Sequence, residues 1–325
     1  MIDKDYLLTK IKENNFLIIG RAGIDIYPDP PGTKTENVEK FISHLGGSSA
    51  NIAVQLSKLG GNCKLLTRIS NDSLGKLTIN LLKKYKVDSS LVQHQDGEAR
   101  LSLAVIESRL INHQSIIYRN NAADLFLNND DIIKSKIENF SCIIFTGTCL
   151  SCEPSRSAIF LALDIAKKNN IPVIFDIDYR PYTWKSSKEA SKIFLKASAL
   201  SNIIVGNDDE FGILAMNYNK GLELAKSLTK QNDILIYKMG EKGSLTITKN
   251  KEIFKSIYKV KALKPTGAGD AFMGGFIGSI LNNYSIEQSI EIGSAAAAIV
   301  VSKVGCAPAM PDMYTIQNFM KNNIT

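Results

Sequence analysis

The sequence predicts an α/β fold with a mainly parallel central sheet, helices packed on it, and a small antiparallel β lid. Short β-branched runs alternate with helical patterns along most of the chain, which is typical of parallel strands joined by helices. Two stretches, at about 22–45 and 90–120, break this alternation. With 325 residues, of which 44% are hydrophobic and 22% charged, the chain can bury a sizeable core.

The first half of the chain opens with a buried strand at Phe16–Ile19. A Gly-Gly-Ser-Ser segment at 46–49 precedes a helix, because Ile52, Leu56 and Leu59 recur with helical spacing. A strand at 64–68 and a helix at 74–84 follow. This order is the start of a parallel α/β sheet.

Further strands are predicted in the second half at 142–145, 172–176, 202–205 and Ile234–Lys238. Helical stretches separate them, which favours continuation of the same parallel sheet. Phe272, Phe276 and Ile280 are spaced four apart, so another helix begins near residue 270.

The two irregular stretches are expected to form the small sheet. Residues 101–107 and 114–119 look like a pair of strands with no helix between them. Together with 22–45 they predict an antiparallel sheet that projects as a lid. The alternative is that these strands continue the edge of the main sheet. No repeat or low-complexity linker divides the chain, so a single domain over 1–325 is expected.

Charge and cysteine usage narrow the functional classes. The formal net charge is +7, yet the basic residues are scattered and form no long run, which argues against nucleic acid and permits an anionic small-molecule ligand. The five cysteines are odd in number and dispersed, which fits a reducing compartment. The C-x-x-C at 149–152 has no second pair or nearby histidines to complete a zinc site.

The N-terminal stretch is charged and amphipathic and lacks the apolar core of a signal peptide. No apolar run approaches the ~18–20 residues needed to cross a bilayer. A cytoplasmic protein without membrane contact is therefore expected.

The segment P-T-G-A-G-D at 265–270 carries the sharpest chemical signal. Three small residues, Gly267, Ala268 and Gly269, stand at a helix start, where uncovered backbone N–H groups and the helix dipole attract anions. Asp270 lies in the first turn and could accept a hydroxyl proton. This arrangement suits phosphoryl transfer, which needs mainly positioning and charge stabilisation; a glycine-rich helix start with an N-terminal aspartate is the plain alternative.

Residues 264–275 and 46–53 (GGSSANIA) together resemble the two signatures of the PfkB carbohydrate kinases. The likeness extends from about residue 20 to 311. It implies a ribokinase-like three-layer α/β/α fold, Asp270 as catalytic base, and an anion hole formed by Gly267, Ala268 and Gly269. Most relatives carry an Asp or Asn-type lead-in to this motif, where this chain has Lys264. Lys264 either adds positive charge near the phosphates of ATP or is simply exposed.

The nucleotide site follows from the same resemblance. N-D-D-E at 207–210 matches an N-x-x-E motif, in which Asn207 and Glu210 organise Mg²⁺ and phosphate through water. Read alone, it is a solvated acidic helix start. K-M-G-E-K-G at 238–243 resembles the nucleotide loop, with Lys238, Gly240 and Gly243 beside ATP. The chain has no Walker A motif.

The sugar site implied by the resemblance includes Asp25, Asn51 and the backbone of Gly46 and Gly47. A carboxylate at Asp25 can accept two hydroxyl hydrogen bonds.

The segments YRNNAADL at 118–125 and DIDYRPYTW at 176–184 are similar to those of family members that phosphorylate keto sugar acids. Arg119 and Arg180 could fork onto a carboxylate; otherwise they are surface arginines. The implied ligands are ATP, Mg²⁺ and a sugar acid, with a monovalent cation (K⁺) held by loop carbonyls near the anion hole.

Four other interpretations stay open. Within the family they are another sugar acid kinase, or a kinase of a neutral sugar such as fructose or ribose. Outside it they are a catalytically silent sugar-binding regulator and an NAD-dependent oxidoreductase, although the G-x-G-x-x-G of the latter is absent after the first strand. The resemblance implies that the small-residue helix segment at 294–298 borders the adenine pocket; a tightly packed helix is the alternative. By analogy, lids of this family pair in a homodimer.

Overall fold

A computed structural model describes residues 4–323. The strands in chain order are β1 (Phe16–Ile19), β2 (Gly23–Asp29), β3 (Lys40–Gly46), β4 (Cys63–Ser70), β5 (Asp88–Gln95), β6 (Ser102–Ile106), β7 (Ser115–Tyr118), β8 (Cys142–Thr146), β9 (Val173–Asp176), β10 (Ile203–Asn207), β11 (Ile234–Lys238), β12 (Ser244–Thr248) and β13 (Glu252–Lys255). The α-helices are α1 (Lys4–Lys12), α2 (Ser48–Lys58), α3 (Ser73–Lys84), α4 (Asn129–Ser135), α5 (Ser155–Lys168), α6 (Ser187–Ser198), α7 (Asp208–Leu214), α8 (Gly221–Leu228), α9 (Ala268–Leu281), α10 (Ile286–Val301) and α11 (Met313–Asn322).

The chain divides into two compact units, each made of two chain segments. The first unit contains the chain up to Ile19 and Leu127–Ile257; the second contains Gly20–Phe126 and the described chain from Tyr258 onward.

The first unit is built on strands in the order β13-β12-β11-β10-β9-β8-β1. Strands β1, β8, β9, β10 and β11 are parallel, and β12 and β13 add an antiparallel edge. Strands β1, β8 and β9 are buried along their whole length, as expected where both faces of a parallel sheet are covered. The predicted parallel strands are confirmed here, whereas β12 and β13 were missed.

The second unit contains the parallel pair β4–β5 and a separate sheet in the order β3-β2-β6-β7. The separate sheet confirms the predicted small sheet, and its strands do not extend the edge of the larger one. Its β3–β2 and β6–β7 pairs are antiparallel, but the central β2–β6 pair is parallel. The first residues of the 90–120 stretch, up to Gln95, belong to β5, which pairs with β4 and not with the small sheet.

Helices α2, α9 and α10 pack closely in the second unit. A Cβ atom on Gly275 of α9 would lie 3.1 Å from Gly293 Cα and 3.2 Å from Ala296 Cβ of α10. A Cβ on Gly274 would lie 2.6 Å from Gln55 Cβ of α2. The paired glycines therefore let α9 fit between its neighbours, and Gly293 and Ala296 of α10 take part in this close packing.

No helix among residues 4–323 combines the length and the apolar character needed to span a membrane.

Candidate functional site

The start of helix α9 has the open geometry that the sequence predicts. Gly267 is the N-cap residue with φ +87°, and it has no side chain to cap the helix. A left-handed φ favours glycine, and a Cβ at this position would also lie 2.7 Å from Cys306 Sγ. Gly267, Ala268 and Gly269 thus add no polar side chain of their own beside the N–H groups of the first turn, and Asp270 lies in the same turn. Anions are favoured at such a helix end.

A direct hydrogen bond ties helix α2 to the carboxylate of Asp270. The Asn51 amide, on the first turns of α2, donates from Nδ2 to Asp270 Oδ2 at 2.9 Å. Asn51 is only 3% exposed. Its Oδ1 atom accepts no hydrogen bond from any residue that the structure describes. An unpartnered buried acceptor is costly, so this oxygen is suited to a hydroxyl donor of a ligand.

Asp25 and Gly46 form the next part of this cluster. Asp25 lies on β2, is 6% exposed, and faces the neighbouring strand β3. A Cβ on Gly46 would lie 1.9 Å from Asp25 Oδ1, so only glycine leaves room for the carboxylate. Gly47 has φ +95°, and a Cβ there would lie 2.5 Å from the Arg21 carbonyl oxygen. The two glycines therefore let the chain turn from β3 into α2 beside Asp25.

Burial raises the pKa of Asp25 to about 6. The charges of Arg21 and Lys264 and a hydrogen bond from Tyr27 oppose this rise. The Tyr27 hydroxyl lies 3.3 Å from Asp25 Oδ2. Asp25 is therefore ionised at neutral pH in a site that disfavours its charge.

Lys264 is completely buried, so the alternative that it is simply exposed is wrong, and the predicted position of its charge near the phosphates stays a prediction. Its ammonium donates to the carbonyl oxygens of Thr266 at 2.7 Å and Val300 at 3.4 Å. Cys306 Sγ lies 3.8 Å from Lys264 Nζ. The long stem folds inward because the ammonium finds these polar partners inside the unit.

Arg119 is also buried, at 6% exposure, so it is not a surface arginine. Its Nε donates to Asp124 Oδ2 at 2.9 Å, and one terminal nitrogen forms an ion pair with the same oxygen. Asp124 is itself buried. This pair fixes the turn after β7, and the predicted contact of Arg119 with a substrate carboxylate stays a prediction.

In the first unit, the N-x-x-E motif forms a reciprocal cap at the start of α7. Asn207 Oδ1 accepts from the Glu210 N–H at 2.8 Å, and Glu210 Oε2 accepts from the Asn207 N–H at 2.7 Å. Glu210 Oε1 accepts from the Tyr179 N–H at 3.0 Å. Glu210 is 6% exposed, so its carboxylate is buried although Asp209 beside it is exposed.

Burial raises the pKa of the Glu210 carboxyl, and the charges of Lys238 and Arg180 oppose that rise. Arg180 pairs with Asp178 at 2.6 Å. Arg180, Asn207 and Glu210 line one surface cavity of ≈ 650 Å³. The structure therefore brings Arg180 together with the residues predicted for nucleotide and Mg²⁺.

The predicted nucleotide loop follows strand β11 as expected. Lys238 ends β11 and is the register partner of Asn207 on β10. Gly240 has φ +54° with no neighbouring atom within 4 Å of a built Cβ, and Gly243 has φ +96°. The loop backbone is thus open at Gly240, where a ligand can approach closely.

Sequence reasoning brought together most of these residues but missed Arg21, Tyr27 and Cys306. Arg21 is 7% exposed, and its Nε atom has no partner among the described residues. Its position in the G-R-A-G-I-D segment beside Asp25 is the one signal that could have identified it. Between residues 4 and 323, no three His, Cys, Asp or Glu side chains cluster as a direct metal site.

Comparisons with known proteins agree with this geometry. The profile of the pfkB family carbohydrate kinases matches residues 13–313. Curated relatives named 5-dehydro-2-deoxygluconokinase include one from Geobacillus kaustophilus, 34% identical over 96% of this chain and 95% of its own length, and one from Clostridium beijerinckii, 36% identical over 96% and 94%.

Solved structures share the fold. A double-mutant fructokinase from Vibrio cholerae O395, in its fructose-, ADP- and potassium-bound form, has a TM-score of 0.82 at 25% identity and covers 94% of this chain and 97% of its own. A ribokinase II from E. coli with ATP and Mg²⁺ has a TM-score of 0.85 at 19% identity, covering 95% and 99%. The fold class predicted from the sequence is confirmed, and the chain belongs to the pfkB family of carbohydrate kinases.

Proposed function

We propose that this carbohydrate kinase transfers the γ-phosphoryl group of ATP to the 6-hydroxyl of 5-dehydro-2-deoxy-D-gluconate, a step of myo-inositol catabolism. The names of curated relatives that match almost the full chain support this substrate. A keto sugar acid also agrees with the resemblance of the segments at 118–125 and 176–184.

The hydrogen bond between Asn51 and Asp270 is the observation that carries the proposal. It holds a carboxylate in the first turn of α9, beside N–H groups that the N-cap residue, Gly267, does not cap. Asp270 would accept the proton of the attacking hydroxyl, and the amides of Gly267, Ala268 and Gly269 would stabilise charge on the phosphoryl oxygens.

The buried acceptors around Asp270 suit a polyhydroxylated substrate. Asp25 can accept two hydroxyl hydrogen bonds, and Asn51 Oδ1 can accept one more. The turn at Gly46 and Gly47 lets backbone groups approach the same ligand. Pairing these acceptors with hydroxyl groups would compensate for their burial.

Arg21 is the best candidate to bind the carboxylate of a sugar acid. Arg119 and Arg180 already form ion pairs with aspartates. Arg21 is buried, its charge attracts that of Asp25, and one terminal nitrogen donates to Ser102 Oγ at 3.5 Å, but its Nε has no partner among residues 4–323. The contacts that we predict for Arg119 and Arg180 would require those pairs to open or to be shared with the ligand.

The nucleotide would lie along Asn207, Lys238, Gly240 and Gly243. Glu210 fits Mg²⁺ held through water, because both of its oxygens already accept backbone N–H groups and can still accept from water. Bound Mg²⁺ would neutralise phosphate charge.

The small sheet is proposed as a lid that also pairs in a homodimer. Its edge strands β3 and β7 expose Phe41, Ile116 and Tyr118, at 41%, 43% and 55% of their surface. Large apolar side chains on sheet edges are suited to burial against a second copy.

A coupled ADP-release assay tests the substrate. It compares 5-dehydro-2-deoxygluconate with 2-dehydro-3-deoxygluconate, fructose and ribose at equal ATP and Mg²⁺. We expect kcat/KM for the first substrate to exceed that for each of the others by at least about tenfold, the lower end of the discrimination that one altered group provides. A preference for 2-dehydro-3-deoxygluconate, fructose or ribose would identify the corresponding kinase instead. Sugar binding without ADP release would indicate a silent regulator.

A further inference from the structure

The ammonium of Lys264 is a buried positive charge at the loop that precedes helix α9. A fully buried lysine is rare, and this one directs its ammonium at the carbonyl oxygens of Thr266 and Val300. Carbonyl oxygens are also the ligands that proteins offer to small monovalent cations. The ammonium thus occupies a position typical of such an ion.

Of the two carbonyls that hold this ammonium, that of Thr266 adjoins the anion hole and that of Val300 belongs to helix α10. Thr266 directly precedes Gly267, the N-cap of α9. A Cβ on Gly267 would lie 2.7 Å from Cys306 Sγ and 3.2 Å from Val300 Cγ1. Cys306 and Val300 are the residues that also contact the Lys264 ammonium. The loop and the ammonium therefore pack on one shared surface.

A monovalent ion does not fit beside this lysine. The family resemblance implies K⁺ held by loop carbonyls near the anion hole, and the Vibrio cholerae fructokinase structure contains potassium. In this chain the carbonyl oxygens of Thr266 and Val300 already accept hydrogen bonds from an ammonium. A second cation on the same oxygens would be repelled by the first at short range in a buried site.

We propose that the Lys264 ammonium replaces the monovalent cation, so that phosphoryl transfer by this chain does not require K⁺. The fixed charge would orient the loop carbonyls and add positive potential behind the anion hole. The inference rests on the proposed role of that loop in phosphoryl transfer. The charge of Lys264 also reaches the sugar site, since it lowers the pKa of Asp25 against the effect of burial.

The test measures kcat in tetramethylammonium buffer with and without about 100 mM KCl, a salt concentration at which the Debye length is about 10 Å. Wild-type kcat is expected to change by less than about twofold. Lys264→Met is expected to lose about 10²-fold or more without K⁺, the usual cost of one preorganised charge contact. K⁺ or ammonium chloride should then raise kcat of this variant at least about tenfold, because the emptied carbonyl pair can bind the ion.

Lys58→Met is the matched control. Lys58 is a half-buried lysine of the same unit, and its ammonium also donates to a carbonyl oxygen, that of Met310. Its kcat should stay near wild type at both salt conditions. Circular dichroism and ADP titration verify that both variants fold and bind nucleotide.

Strong K⁺ activation of the wild type would overturn the proposal, as would a Lys264→Met variant that stays active without K⁺. A loss that no monovalent cation restores would overturn it too, since it would assign Lys264 a purely structural role. The assay uses whichever sugar the substrate panel finds to be phosphorylated, so an error in the proposed substrate leaves this outcome unchanged.

Discussion

Replacing Asp25 by Asn should stabilise the protein while abolishing its activity. Burial raises the pKa of this carboxyl from 3.8 to about 6, even with the attraction of Arg21 and Lys264 included. Folding therefore disfavours the ionised form by roughly two pH units, which corresponds to about 3 kcal/mol at neutral pH. The neutral amide of Asn avoids this cost and keeps an acceptor for the Tyr27 hydroxyl.

The sign follows from proton linkage. Between about pH 4 and 6 the unfolded chain has released the Asp25 proton and the folded chain still holds it, so the free energy of unfolding falls as pH rises. Above about pH 6 the loss is complete and constant. Asp25→Asn should remove this slope and raise the free energy of unfolding at pH 7.5 by up to about 3 kcal/mol. For a chain of this length that is a rise in Tm of about 4 °C.

Thermal unfolding at pH 4.5 and 7.5 measures the effect, with Asp29→Asn as control. Asp29 lies on the same strand and pairs with Lys40 at the surface, so its loss should change stability by less than about 1 kcal/mol. The ADP-release assay should show no turnover for Asp25→Asn. For the wild type, sugar KM should rise as pH falls below about 6, because the protonated carboxyl loses acceptor capacity. A variant less stable than wild type at pH 7.5, or one that retains sugar affinity, would refute this account.

Four other substitutions test the remaining roles. Asp270→Asn should lower kcat by about 10²–10⁴-fold with ATP binding nearly intact, measured by turnover and nucleotide titration; retained turnover would remove Asp270 as the base. Gly46→Ala places a Cβ on the carboxylate of Asp25 and should raise sugar KM and cost about 1–3 kcal/mol of stability in thermal unfolding; unchanged KM would mean that Asp25 does not bind sugar. Arg21→Gln should raise KM for a sugar acid about tenfold more than KM for fructose. If Arg180 binds the substrate carboxylate instead, Arg180→Ala should show the larger difference between the two KM values, so comparing the two variants decides which arginine binds it.

The sequence predicted the parallel strands well because buried β-branched runs leave a clear pattern. It missed β12 and β13, since these antiparallel edge strands have only five and four residues. It also could not predict the parallel β2–β6 pairing, because nearly eighty residues separate these strands and no local signal encodes partner choice.

For the candidate site, local motifs predicted the glycine-rich N-terminus of helix α9 and the position of Asp270 in its first turn. They could not reveal side chains whose role depends on distant contacts. Lys264 was open to two interpretations because burial of its stem depends on Val300 and Cys306, more than thirty residues away. Arg119 was assigned to a ligand because its partner Asp124 is visible only once the turn after β7 is folded.

The buried polar groups near α9 form one connected network, which limits the free-energy cost of burying the charge of Asp25. Tyr27 donates to Asp25 and lies 3.4 Å from Cys306 Sγ, and Cys306 contacts Lys264. Burial raises the pKa of the Cys306 thiol to about 12, so it stays neutral between the carboxylate and the ammonium. Within this network the uncharged side chains of Tyr27 and Cys306 lie between the Asp25 carboxylate and the Lys264 ammonium. Each charge lowers the cost of burying the other without forming an ion pair that would occupy the carboxylate. Asp25 thus keeps acceptor capacity for a substrate hydroxyl, at the stability cost that Asp25→Asn would recover.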